Sequence, residues 1–229
     1  MHSRTLGRLT LTLPTLDALS HVTSFDNGGA FLDFHYTSAD PVELSLTGTH
    51  FVTGRITGLS ARRSRFDNIR LDSVEFTGCD LTSLRWTDSR LTRTVFRDCK
   101  LTGAVLERLT LDNVLFEGCT LTYAVLAHLR ATGPLALVRC DLTEAAFTRC
   151  DLSGAHLEAC GLRHTTFTAG TYHRTDLRGN NLSALRGAGA LKQVIIDRPQ
   201  HADLTHALTT ELDIAFPDTL DDPPATGMP

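Results

Sequence analysis

Large apolar side chains recur every fifth residue through the middle of this chain: Phe66, Leu71, Phe76, Leu81, Trp86, Leu91, Phe96, Leu101, Leu106, Leu111, Phe116, Leu121 and Leu126. A beat of five fits neither ordinary element. On a helix, positions five apart are turned by about 140°, so no apolar stripe forms. On a continuous strand, an odd spacing sends alternate large residues to opposite faces. The chain must therefore turn every few residues.

A second set of positions fixes the inward direction. Two residues before each large side chain stands a small or medium one, among them Ser64, Ile69, Val74, Cys79, Leu84, Ser89, Thr94, Cys99 and Ala104. Positions i and i−2 share one side of a short extended segment, so each quintet offers two inward and three outward groups. F-x-x-C-x-L recurs at Phe76–Leu81, Phe96–Leu101 and Phe116–Leu121, twenty residues apart. Twenty residues make four quintets per turn, a four-sided solenoid with coils stacked at about 4.8 Å.

Quintets such as Cys79-Asp80-Leu81-Thr82-Ser83, Cys140-Asp141-Leu142-Thr143-Glu144 and Cys150-Asp151-Leu152-Ser153-Gly154 resemble the motif A(D/N)LxX of the bacterial pentapeptide-repeat family. The resemblance covers residues 44–183 and implies an all-β solenoid, a right-handed quadrilateral β-helix of about seven coils, with an N-terminal β cap and a C-terminal α-helix.

The rest of the chain is organised around that body. Residues 1–43 read as an N-terminal cap: Leu9–Leu13 alternates Leu and Thr as a strand does, Asp26-Asn27-Gly28-Gly29 signals a turn, and Phe31–Tyr36 reads as another strand. The beat opens at Leu46, Phe51 and Ile56, weakens at Ala61, and slips by one residue within 132–136, where Thr132-Gly133-Pro134 predicts a bulge. It resumes at Leu137 and ends at Leu182. Just before the slip the sizes are exchanged, Leu129 being large and Ala131 small, which conserves interior volume. Residues 184–216 read as a capping or dimerisation segment, with a helix over 199–216 that places Leu204, Leu208 and Leu212 on one side. Family members often end in such a helix and some pair through it. Residues 217–229 read as a disordered tail.

Composition adds exclusions. Neither a signal segment nor a membrane-length apolar run is present, so a cytoplasmic protein is expected. All six cysteines, at 79, 99, 119, 140, 150 and 160, fall at the inward i−2 position and are expected to be free, acting as small buried hydrophobes. The ten histidines are scattered, and phosphate-loop, nucleophile-elbow and H-E-x-x-H motifs are absent. No catalytic residue, cofactor or metal is expected, and an enzyme would need a cleft built by a cap or a dimer interface.

Partners are what the resemblance addresses. Some family members bind DNA gyrase or topoisomerase IV with an acidic rod that imitates DNA and so protect the enzyme from poisons, which implies candidate partner residues here at Asp67, Asp72, Glu107, Asp112 and Glu117. Residues 61–180, however, hold sixteen Lys and Arg against fourteen Asp and Glu, a body near +2 within a chain of −4. An arginine cluster at 62, 63, 65, 70, 85, 90, 93 and 97 opposes those acids; it could contact phosphates, but without interleaved aromatic residues direct nucleic-acid binding is not expected. Two outward apolar rows also recur, Val95-Leu115-Ala136 on one side and Val105-Val125-Ala146 on the opposite side. The expected role is a non-enzymatic protein-interaction module, with a topoisomerase partner or a scaffold for another bacterial protein as alternatives.

Overall fold

The computed structural model describes residues 2–37 and 43–215. Its body is a right-handed four-sided β-helix of about seven turns. Every fifth residue explains the shape. From Gly48 to His128 and from Arg139 to Gly179, each residue at i+2 adopts a positive φ, whether it is glycine or Asn68, Arg93 or Tyr123. A left-handed residue reverses the local curl of an extended chain, so each quintet ends in a corner. Such corners are strained for residues with a Cβ, and the stacking of coil on coil holds them.

The stacking is in register. Strands Arg70–Thr77, Arg90–Arg97 and Thr110–Glu117 pair in parallel at offsets of twenty and each spans two faces, here called the Leu71 and Phe76 faces. Short strands Arg65–Asp67, Arg85–Thr87 and Val105–Glu107 build the Phe66 face. The fourth, the Leu81 face, is joined by single bridges such as Asp80 to Lys100 and Lys100 to Thr120. Like side chains therefore meet like inside: Phe76, Phe96 and Phe116 stack at centroid distances of 4.8 and 4.7 Å. The interior is filled from Phe25 to Leu191.

The predicted slip is real. Leu111 pairs with Ala131 at an offset of twenty and Val114 with Leu135 at twenty-one. A Cβ at Gly133 would lie 2.0 Å from an Asp112 carboxylate oxygen, so any larger residue there would have to displace that side chain.

Five of the six cysteines occupy one column on the Leu81 face. Cys79, Cys99, Cys119, Cys140 and Cys160 each donate a thiol hydrogen bond of 3.4–3.6 Å to the carbonyl of a central Phe76-face residue in the preceding coil, from Ile56 through Leu137. Asn180 and Gln200 continue the column with N–H donors to Leu157 and Leu177 at 2.8 Å. The cysteines are free and buried, and they are hydrogen-bond donors as well as the small hydrophobes expected from sequence.

The ends differ from expectation. Residues 1–43 do not form one cap. β1 (His2–Leu6) and β2 (Leu9–Leu13) make an antiparallel hairpin, whereas β3 (Ser20–Val22) and β4 (Ala30–Thr37) pair in parallel with the next coil and belong to the solenoid. The hairpin leaves the end of the rod and lies on the outside of the Phe76 face, where Leu6, Leu11 and Leu13 bury Val95, Leu115, Ala136 and Val138. At the other end, α1 (Gln200–Glu211) is shorter than the 199–216 predicted. Leu204 and Leu208 pack on the solenoid's own core, while Leu212 is 66% exposed. The segment 217–229 lies outside the described residues.

Phe96→Ala, which empties the middle of the aromatic stack, should cost about 3–5 kcal/mol in chemical denaturation, whereas Thr92→Ala, outside the wall, should stay within about 0.5 kcal/mol. Burial pushes the Cys150 thiol up to about 11. All six thiols are buried, so a thiol reagent at neutral pH should label none of them until denaturant is added.

Candidate interaction surfaces

The five acidic candidates fall into three columns on three faces. Asp67 and Glu107 share a column of the Phe66 face with Thr87 between them. Asp72 and Asp112 share one on the Leu71 face with Thr92 between them. Glu117 belongs to the Phe76 face. They do not merge into one acidic stripe.

Most of these carboxylates are already occupied. Asp67 accepts the Thr87 hydroxyl at 2.6 Å, Asp72 is paired with Arg93, Glu107 with Arg108, and Asp112 accepts the Asn113 amide at 2.9 Å. Arg108 also grips Asp88 through two nitrogens at 2.6 and 2.7 Å, the first cause of Asp88's lowered pKa. Glu107 and Asp112 take their partners from the next residue, whereas Asp72 with Arg93 and Asp88 with Arg108 stand about one coil apart, so there the ladder that aligns the strands also aligns opposite charges.

Glu117 has a different fate. It is 7% exposed, and three arginines converge on it: Arg4 from the hairpin at 2.8 Å, Arg139 at 2.7 Å, and Arg97. Arg4 first, then Arg139, hold its carboxyl below the usual carboxylate range. Thr12 adds a backbone N–H to Asn113 Oδ1 at 2.7 Å. Glu117 is thus the anchor of the hairpin and offers no free charge to a partner. Nothing near it in sequence announced Arg4, 113 residues away; Arg97, twenty residues back, was readable from the period.

Of the two outward apolar rows, the hairpin covers the one on the Phe76 face. The other is uncovered. Val105, Val125 and Ala146 stack in register on the Phe66 face, with Val125 40% exposed and Tyr123, at the adjoining corner, 58% exposed.

The turn of the hairpin also closes a cleft of about 150 Å³ against the solenoid, lined by Arg8, Leu9, Gly154, His156, Arg174, Asp176 and Ile195. His156 is buried, with Nε2 3.0 Å from Glu158 and Nδ1 3.5 Å from Asp176. Arg178 clamps Asp176 at 2.9 and 2.7 Å and lowers its pKa. The lining has no Ser, Cys or Lys to act as a nucleophile. Among the described residues no group of three or more His, Cys, Asp or Glu is placed to hold a metal ion, and no helix is long and apolar enough to cross a membrane.

Residues 69–133 match the family profile described as a pentapeptide repeat region, and residues 140–179 match pentapeptide repeats in eight copies. Among solved structures, the fold is similar to QnrB1, a plasmid-mediated fluoroquinolone resistance protein, at 16% identity over 83% of this chain and 98% of that one, with a TM-score of 0.43. It is also similar to HetL, a pentapeptide repeat protein involved in heterocyst differentiation regulation from the cyanobacterium Nostoc, at 17% identity over 73% and 87%, with a TM-score of 0.43. No curated protein matches the chain in sequence.

Because Glu117 has a lowered pKa when the hairpin is docked, its contribution is fully present above the unfolded carboxyl's value, about 4.3, and is lost as pH falls through the lower folded value. Amide-exchange protection of residues 2–13 should therefore collapse selectively in acid. Glu117→Gln should weaken that protection at neutral pH and flatten its pH dependence.

Proposed function

Because the chain belongs to the pentapeptide-repeat family, we propose that it acts as a non-catalytic protein-interaction module whose contact surface is the Phe66 face and whose partner is a type II DNA topoisomerase such as gyrase. The observation that carries the contact surface is the contrast between the two apolar rows. A row of the same make on the Phe76 face is covered by the chain's own hairpin, while Val125 and Tyr123 are exposed and half-buried Val105 continues the row beside Glu107. An apolar strip with a polar rim is the anatomy of a protein contact. The filled interior leaves the outside of the wall as the place where recognition can occur.

The pairing of Asp72, Glu107 and Glu117 with arginines favours a contact centred on the apolar strip over imitation of DNA by rows of free carboxylates. It also supports the second reading, a scaffold for a different bacterial protein held by the same face.

The test is capture of gyrase by the purified protein, together with supercoiling in the presence and absence of a quinolone. Capture and restored supercoiling are expected, with Tyr123→Glu plus Val125→Glu weakening capture at least tenfold and Glu107→Lys weakening it less. Absence of capture at micromolar protein rules out the topoisomerase partner. Capture undiminished by the double variant rules out the Phe66 face.

A further inference from the structure

Four arginines in two neighbouring coils stand in register with one another and, unlike Arg62, Arg93 and Arg108 on the same stretch, make no ion pair among the described residues. On the Phe66 face Arg65 stacks on Arg85, and on the Leu71 face Arg70 stacks on Arg90, each pair in register and all four exposed. Elsewhere on these coils the ladder sets arginine against acid: Arg62 with Asp80, Arg93 with Asp72, Arg108 with Asp88. At these four positions it sets arginine against arginine. Like charges directly opposite on adjacent strands destabilise the pair, and among the described residues no carboxylate bridges them. The nearby acids are taken, Asp72, Asp80 and Asp88 by other arginines and Asp67 by Thr87.

The two columns flank one corner of the solenoid, and an open cleft of about 280 Å³ lies there, lined by Asn68, Ser89 and Thr110 between Arg70 and Arg90, with Asp88 also in the lining but held by Arg108. Apart from buried Ile69 its lining is polar. The large side chains of these coils, Phe66, Leu71, Trp86 and Leu91, are buried. The patch therefore has cationic forks and hydroxyls but no exposed apolar or aromatic anchor.

We propose that Arg65, Arg70, Arg85 and Arg90 bind the phosphate backbone of double-stranded nucleic acid, without sequence preference. A guanidinium matches phosphate oxygens with paired N–H donors. Cations repeating at about 4.8 Å along a rigid wall can follow a phosphate row, and a rigid wall loses little entropy on binding. A protein partner would need a buried anchor, which this corner lacks, and single strands are held through aromatic stacking, which it also lacks. Backbone charge on a duplex is the chemistry left. The patch lies one to three coils from Val105 and Val125; it does not depend on the topoisomerase reading and can be altered separately.

The experiment is fluorescence anisotropy of the full chain with two labelled 20-base-pair duplexes of unrelated sequence, the matching single strand, and labelled poly-glutamate, between 50 and 200 mM salt. Four phosphate contacts predict equal affinity for both duplexes, a log–log salt slope of about −3.6, and a loss of about 100-fold across that range. Arg65→Gln with Arg85→Gln, and Arg70→Gln with Arg90→Gln, should each flatten the slope by about 2, with circular dichroism unchanged. Arg149→Gln with Arg163→Gln removes the same charge elsewhere on the exposed surface and should leave the slope unchanged. Equal loss in that control, a slope insensitive to the patch variants, or tighter binding of the single strand or of poly-glutamate would overturn the proposal.

Discussion

The structure depends on one constraint: each coil must present its backbone to the next in parallel register at an offset of twenty residues. Everything inside follows from that alignment. A left-handed corner every five residues is unfavourable for Arg93 or Tyr123 taken alone, yet the interstrand hydrogen bonds on either side hold it at the same place in each turn. Alignment makes side chains columnar, so phenylalanine rests on phenylalanine and thiol follows thiol. Where one residue is inserted, the register shifts by one and the left-handed corners lapse once, at Gly133, before both resume.

That periodicity is why the body was legible. Inward positions, the number of sides and the slip at 132–136 all follow from spacing. Column membership was legible too, and with it the arginine–carboxylate pairs a coil apart. Two things were not. The donor role of the cysteines depends on which carbonyls the corners leave facing inward, a property of backbone geometry rather than of residue type. The place of the hairpin was hidden because Leu9–Leu13 announces a strand but not its neighbour. Two outward rows of similar make were available, and Arg4 with Glu117 belongs to only one of them.

The candidate carboxylates show how an average misleads. A body near +2 with acids at regular intervals reads as an even mixture, but columns sort it. Acid and base are matched around Asp72, Asp80 and Asp88; carboxylate is drowned in arginine at Glu117; and arginine alone remains at Arg65, Arg70, Arg85 and Arg90. The outer wall is thus divided lengthwise into unlike zones, apolar over one stretch of the Phe66 face and cationic two coils earlier, on a scaffold that is uniform inside.

The hairpin gives the rod a mechanical property that a bare stack lacks. A solenoid pulled by its first residue peels from that end, one coil at a time, with each coil resisting alone. Here a pull on the N-terminus is delivered to the middle of the rod, where Leu6, Leu11, Leu13 and Arg4 are fastened across the coils bearing Val95, Leu115 and Ala136. The strap must shear from three coils together before the first coil feels tension, so the end of the chain acts as a buckle across the stack and not as a loose thread.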